Sequence, residues 1–265
     1  MLMVCTREEE RNGALIDELG REGISALCLP LIRTISEPLN HSRRQLIAEA
    51  LSDESALVCF SSPNGVRYGM TGIVPLLEPP QGGIAVQGQA TATAFEVLTG
   101  YSPLIISRGP TGEDLAATVR DFPRVFSRAI LIGPCRPRPE LALGLRALGL
   151  SVEQVPVYRT ELREPSPTEI ARYRATGPCV VLFCSPSAVH SFIGAKLTSV
   201  NPEALYAAFG PTTAAVLQEA GIPVACEYNW GREREARSSA DDDQSEVGIA
   251  GFLRTVAQFV KDRTI

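Results

Sequence analysis

Two stretches of this chain, Phe60-Ser61-Ser62-Pro63-Asn64-Gly65-Val66 and Phe183-Cys184-Ser185-Pro186-Ser187-Ala188-Val189, repeat one pattern at an offset of 123 residues, Ser62 to Ser185. In each, an apolar run ends at Phe, a Ser precedes a Pro, and apolar positions resume behind it. A serine ahead of proline suits a helix start, because its oxygen caps a free N–H while proline fills the first helical position, where a missing N–H costs nothing. Each stretch therefore predicts a strand, a tight turn and a helix. Two more pairs repeat in the same order. Gly88-Gln89-Ala90-Thr91-Ala92 matches Gly210-Pro211-Thr212-Thr213-Ala214 at an offset of 122, Gly88 to Gly210. Gly23 to Thr34, ending Pro30-Leu31-Ile32-Arg33-Thr34, matches Gly149 to Thr160, ending Pro156-Val157-Tyr158-Arg159-Thr160, at an offset of 126, Gly23 to Gly149. Three ordered matches at near-constant spacing imply an internal duplication.

Short β-rich runs alternate with helical patterns on either side of these stretches: Leu2 to Thr6, Ser25 to Leu31, Ser55 to Phe60, Gly83 to Val86, Arg128 to Ile132, Ser151 to Val157, Val180 to Cys184 and Tyr206 to Phe209. That rhythm predicts parallel α/β layers. Leu141, Leu145 and Leu148 make a helical stripe that Gly149 closes with a left-handed cap. Phe252, Val256, Phe259 and Val260 predict a closing amphipathic helix. The charged, Ser-rich segment Tyr228 to Glu246 breaks the pattern and is expected to be a mobile surface loop.

Composition narrows the function. The chain has 265 residues, 25 basic against 30 acidic, and a formal net charge of −5. No basic cluster is present to neutralise phosphates, so nucleic acid is not an expected partner. The longest apolar run, Cys179 to Cys184, is far short of the roughly 18 residues of a membrane span, and no secretion signal is read at the start. The seven cysteines are odd in number, lack any CxxC pair and lie mostly in apolar runs, which predicts reduced core thiols and a cytoplasmic protein. The two histidines, His41 and His190, have no metal-binding spacing.

No P-loop, dinucleotide fingerprint, nucleophile elbow or paired carboxylates are read from the sequence. What repeats is a small, hydroxyl-rich turn at a strand end: Ser61-Ser62-Pro63, Gly88-Gln89-Ala90-Thr91, Ser185-Pro186-Ser187 and Gly210-Pro211-Thr212-Thr213. Each should open a helix. Helix N-termini present unpaired N–H groups and partial positive charge, so these turns, placed at the carboxyl ends of strands, predict a surface for carboxylates or phosphates.

Val4-Cys5-Thr6-Arg7, the Phe-x-Ser-Pro-Asn/Ser-x-Val pair, Pro156-Val157-Tyr158-Arg159 and Gly210-Pro211-Thr212-Thr213-Ala214 together resemble the uroporphyrinogen-III synthase family, from about Met1 to Cys226. The resemblance implies two similar parallel-sheet α/β domains joined by a two-stranded linker: residues 1–36 plus 160–265 as a discontinuous first domain, residues 37–159 as the second, and an active-site cleft between them. The linker would lie near Thr34 to Pro38 and Tyr158 to Glu161. The implied reaction is the conversion of hydroxymethylbilane, a polycarboxylate, to uroporphyrinogen III with loss of water and inversion of the last pyrrole ring, without cofactor or metal, by a monomer. Tyr158 matches the family's proposed proton donor, and a phenol of reference pKa about 10 is protonated at neutral pH. Arg7, Ser62, Pro63, Asn64, Gly88, Thr91, Ser185, Pro186, Ser187, Gly210, Thr212 and Thr213 are the expected substrate-binding residues, with Arg33 and Arg136 as further candidate cations.

The sequence departs from the family pattern at Ser61 and Cys184, where Thr is common, at Gln87, and at Gly133-Pro134, where a basic residue is more usual. These departures bear on how carboxylates are held in the second domain. The alternative class is a non-catalytic synthase-like α/β module that binds an anionic, tetrapyrrole-like ligand. Tyr158 and Gly210-Pro211-Thr212-Thr213 favour the enzyme.

Overall fold

The computed structural model describes residues 2–71, 73, 78–109, 111–228 and 247–261. In chain order these form β1 (Leu2–Cys5), α1 (Glu9–Arg21), β2 (Ala26–Cys28), β3 (Ile32–Ser36), α2 (His41–Leu51), β4 (Ala56–Phe60), α3 (Pro63–Met70), β5 (Gly83–Val86) and α4 (Gln89–Thr99). There follow β6 (Ile105–Ile106), α5 (Gly112–Arg120), β7 (Arg128–Pro134), α6 (Glu140–Ala147), β8 (Ser151–Leu162), α7 (Pro167–Arg174), β9 (Cys179–Phe183), α8 (Pro186–Gly194), β10 (Leu205–Phe209), α9 (Pro211–Glu219), β11 (Val224–Tyr228) and α10 (Val247–Lys261).

The chain divides into two compact units, Met1–Thr34 with Thr160–Ile265, and Ile35–Arg159. The first crossing falls inside β3, two residues before the boundary read at Ser36, because the strand runs unbroken through it. Unit 1 holds a five-stranded sheet in the order β11-β10-β9-β1-β2, with parallel neighbours throughout. Unit 2 holds the six-stranded sheet β3-β8-β7-β4-β5-β6, parallel from β8 to β6. At its edge the N–H of Glu37 donates to Val157 O, and the N–H of Arg163 donates to Leu31 O. Rising numbers on one strand meet falling numbers on the other, so β3 and β8 are antiparallel.

The duplication extends to register. Strands β2-β1-β9-β10-β11 correspond in spatial order to β8-β7-β4-β5-β6. Leu2 opposite Cys179 answers Arg128 opposite Ala56, Met3 opposite Ala26 answers Ala129 opposite Val152, and Phe183 opposite Ala208 answers Phe60 opposite Val86. Register is set by which side chains must face the core, so matching apolar patterns select matching pairings.

Each sheet is covered on both faces. The central strands β4 and β9 are buried at every position, as parallel strands between helices must be. In unit 2, Val58, Phe60, Ile130 and Ile132 pack under Ile47, Val66 and Phe95, while Leu57, Cys59 and Ala129 pack under Leu115, Leu141 and Leu145. In unit 1, Val181 and Phe183 face Val189, Phe192 and Leu217, whereas Met3, Val180 and Leu182 face Leu15, Leu19 and Phe252. Fully burying one such side chain stabilises by about 1.5–3 kcal/mol.

Two strands, β6 and β11, escaped the sequence reading, and β3 was implied only as one strand of the linker near Thr34 to Pro38, where it pairs with β8. The run Ser25 to Leu31 contains only the short β2, because Pro30 has no N–H to give the sheet, and β3 starts afresh behind it. β6 has just two residues, too few for a period to show, and β11 carries Glu227 within its run. Tyr228, read as the start of a loop, instead ends β11, is 2% exposed and stacks on Phe209 at 5.6 Å. The rest of that segment, 229–246, lies outside the described residues.

Candidate functional site

A parallel sheet has a switch point where successive connections leave to opposite sides, and ligands bind beyond the strand carboxyl ends there. In unit 2 it lies between β4 and β7, since β5 and β6 follow on one side and β8 on the other. In unit 1 it lies between β1 and β9.

At the unit 2 switch point Ser62 is the N-cap of α3, extended at φ −164° and ψ 157°, and its Oγ accepts the N–H of Gly65 at 3.1 Å. Pro63 occupies the first turn and Asn64 follows it, both half-buried. The same Ser62 Oγ lies 3.0 Å from the Tyr158 hydroxyl. Tyr158 sits on β8, whose carbonyl accepts the N–H of Cys135 at 2.8 Å, and its ring lies 6.0 Å from that of Tyr68 on α3. The tyrosine is thus fixed by its backbone, its ring and its hydroxyl, and is 9% exposed. Gly65 allows the helix to approach this closely: a Cβ there would meet Ile132 O at 2.9 Å.

One strand along, Gly88 opens α4 with φ 77°, and its unit 1 counterpart Gly210 opens α9 with φ 90°. A side chain at either position would be strained. The N–H groups of Gln89 and Ala90 have no partner among the described residues and leave the α4 N-terminus able to meet an anion. Thr91 behaves differently: it is 1% exposed and its hydroxyl donates to Gln87 O at 2.9 Å. Thr213, its counterpart, is 2% exposed. Both are packing residues of a helix start, and Thr212, which is exposed, is the hydroxyl that faces solvent on α9.

At the unit 1 switch point Thr6 is fully buried and its hydroxyl donates to Leu182 O at 2.6 Å, tying the end of β1 to β9. Asn12, also fully buried, donates to Cys5 O at 3.2 Å and to Arg7 O at 2.8 Å. These two side chains fix the Arg7 backbone, while its half-buried guanidinium has no ion pair among the described residues. Ser185 caps α8 through the N–H of Ala188 at 3.3 Å, with half-buried Pro186 and Ser187 behind it.

The other candidate cations differ. Arg33 is held by Glu161 through two hydrogen bonds of 3.0 and 2.8 Å, so a carboxylate of the chain already occupies it. Arg136 is exposed. Burial raises the Cys5 thiol to about 12, with the neighbouring Cys184 and Cys28 adding to it, and burial alone raises Cys59. Cysteines that stay protonated are poor nucleophiles and poor ligands. No group of His, Cys, Asp and Glu that could hold a metal occurs among the described residues.

Sequence reasoning missed Tyr68, Asn12 and Thr6. Tyr68 left a signal, six residues beyond Ser62 on a predicted helix, but nothing local says that its ring meets Tyr158. Thr6 and Asn12 act on carbonyls brought close only by the sheet.

The fold and site define a class: a duplicated three-layer α/β protein with capped helix N-termini at both switch points, a phenol at one and a guanidinium at the other. The family model for Uroporphyrinogen-III synthase HemD matches residues 13–229. The chloroplastic uroporphyrinogen-III synthase of Oryza sativa subsp. japonica is 24% identical over 225 residues, 83% of this chain and 73% of that protein. A mutant uroporphyrinogen III synthase from Thermus thermophilus superposes with a TM-score of 0.56 at 19% identity, covering 97% of this chain and 100% of that one. The uroporphyrinogen-III synthetase of Helicobacter pylori gives 0.56 at 16%, covering 86% and 92%. The two structures share the fold. The chain belongs to the uroporphyrinogen-III synthase family, whose members are cyclising lyases of porphyrin biosynthesis. No described helix is long and apolar enough to cross a membrane.

Proposed function

We propose that this chain cyclises hydroxymethylbilane to uroporphyrinogen III, with loss of water and inversion of the last pyrrole ring. The observation that carries the reading is the Tyr158 phenol, anchored 3.0 Å from the Ser62 hydroxyl at the N-terminus of α3. The bilane's terminal C–O bond breaks as its oxygen takes the Tyr158 proton and leaves as water. The N–H of the same pyrrole then supplies the proton that restores the phenol, so the net loss is one water and the product is an azafulvene. Attack by the substituted carbon of the last ring gives a spiro species that reopens and closes inverted.

Selectivity is a matter of geometry. The free bilane closes to the uninverted isomer, so holding the flexible chain in one fold supplies the discrimination. The substrate is anionic and the protein carries a net charge of −5, so long-range steering opposes binding and local groups must supply it. The N-termini of α3, α4, α8 and α9, with Arg7, Asn64, Ser187 and Thr212, are the carboxylate-binding groups. The reduced thiols fit a cytoplasmic protein.

The test supplies purified protein with freshly generated hydroxymethylbilane and resolves the oxidised products. Type III in excess over the enzyme-free control is the expected result. Type I alone from folded protein would assign the chain to the non-catalytic binding modules.

A further inference from the structure

We infer that Tyr68 is a positioning residue for Tyr158: carried on a helix that two glycines seat against the sheet, its ring holds the phenol ring in its working orientation. This rests on the reading of Tyr158 as proton donor, and it holds whichever of Ser62 and Tyr158 donates to the other.

The strand alone does not aim this side chain. The register of β7 with β8 shifts between Gly133 and Pro134, so that Gly133 lies opposite Pro156 and Pro134 opposite Tyr158. Val157 and Tyr158 are adjacent in the chain and both pack into the same core cluster of unit 2, whereas successive residues of a regular strand point to opposite faces. A bulge of this kind bends its strand and re-aims the side chain beside it. The ring must still be fixed about its side-chain torsions. Helix α3 meets it at two points: Ser62 Oγ lies 3.0 Å from the hydroxyl, and the Tyr68 ring lies 6.0 Å from the Tyr158 ring, inclined at 37°.

α3 comes this near because its inner face carries no side chain at two places. A Cβ at Gly65 would meet Ile132 O at 2.9 Å, and one at Gly69 would meet Ile132 Cγ2 at 2.4 Å. Residues four apart share one face of a helix, so the two glycines together seat α3 on β7. Tyr68, next to Gly69, is thereby brought to where β8 runs beside β7. Unit 1 supplies an internal comparison. The positions that answer Gly65, Tyr68 and Gly69 by the offset of 123 are Ala188, Ser191 and Phe192, and the one that answers Tyr158 by the offset of 126 is Ile32. There Phe192 is fully buried and Ser191 donates to Arg163 O at 2.8 Å. Both units keep the Ser-Pro helix start, which serves folding in each. The glycine seat and the aromatic pair belong to unit 2 alone, around the one residue to which the chemistry is assigned.

The experiment measures steady-state turnover in single and double variants. Tyr68→Ala is expected to lower kcat about 3- to 10-fold, the worth of an aromatic pair, with KM changed less than about twofold. Tyr68→Phe keeps the ring and should stay within about twofold of the parent. Tyr68→Leu keeps apolar bulk without a flat ring, should show most of the alanine loss, and replaces Tyr68→Ala if that variant fails to fold. In a Tyr158→Phe background Tyr68→Ala should have almost no further effect on kcat, because no phenol is left to aim, whereas a loss of packing alone would persist there. An unchanged kcat, a change confined to KM, a loss in Tyr68→Phe equal to that in Tyr68→Ala, or the full loss persisting in the Tyr158→Phe background would overturn the inference while leaving Tyr158 as donor. If Tyr158→Phe alone leaves turnover intact, the donor reading itself fails, and this inference with it.

Discussion

Units 1 and 2 pair their strands at matching residues and differ where those strands end. Arg7 of unit 1 answers Gly133 of unit 2, Ile32 answers Tyr158, and Ala188 answers Gly65, at the offsets of 126 and 123 that align the repeats. The duplicated part is what a parallel sheet needs: buried central strands, capped helices and a left-handed glycine before α4 and α9. What has diverged is chemical, with the cation kept in one unit and the phenol in the other. A scaffold of this kind can be copied whole because packing tolerates few changes, whereas Arg7 follows β1 and Gly133 and Tyr158 lie at the last pairings of β7 with β8, at the strand carboxyl ends where α/β ligands bind.

The comparison is broken most directly at the phenol. Tyr158→Phe is expected to lower turnover roughly 10- to 1,000-fold in a steady-state assay, the range for losing a general acid. Ile32→Val at the matching position of unit 1 should leave it unchanged. Equal loss at both positions would mean that strand packing, and not the hydroxyl, is what matters.

Gly65→Ala makes unit 2 copy the alanine that unit 1 already has. Because the new Cβ meets a backbone oxygen, Ile132 O at 2.9 Å, the helix must shift, and denaturant unfolding should show a loss of about 1–3 kcal/mol. A neutral result would show that the two switch points are packed alike after all. Arg7→Gln removes the cation of unit 1 without touching the bonds from Asn12 to the backbone. It should raise KM about 3- to 10-fold at constant kcat, the pattern of lost uniform binding.

The smallest effect concerns acid. Glu169, in the capping box of α7, is partly buried, which pushes its carboxyl up. Hydrogen bonds from Arg163 at 3.0 and 3.1 Å and from the Ser166 N–H at 2.7 Å outweigh this and hold it below its ordinary 4.5. A carboxyl lowered by folding stabilises fully above its unfolded value, and the contribution is lost as pH falls through the folded one. Glu169→Gln should therefore cost about 1 kcal/mol at neutral pH and progressively less below pH 4.5. The matching helix α2 is capped by uncharged Asn40, so Asn40→Ala should cost a pH-independent amount over the same range.

How much was legible follows from range. Ser62-Pro63 and Ser185-Pro186 announced helix starts because a cap and a first-turn proline act over a few residues, and the structure has both. Strands β4 and β9 were legible from their apolar runs, whereas β6 and β11 were not, since an edge strand carries too weak a pattern. At the site, Thr91 and Thr213 read as hydroxyls for a ligand and are buried helix-start residues, because composition does not tell which side of a turn faces inward. Arg33 read as a candidate cation for the substrate and is paired with Glu161, a residue 128 positions away.

The sequence by itself determined the α/β class, the duplication and the helix starts, since periodicity, capping and internal offsets are local or self-referential, and Tyr158 was singled out by the family resemblance alone. Only the tertiary structure decided that the Tyr158 hydroxyl meets Ser62, 96 positions away, that Asn12 and Thr6 shape the turn at Arg7, and that Gly65 must remain a glycine. The physical reason is that hydrogen bonds and steric contacts act over a few ångströms in space, and the pairing of strands β1, β4, β7, β8 and β9 is what brings those groups within that distance.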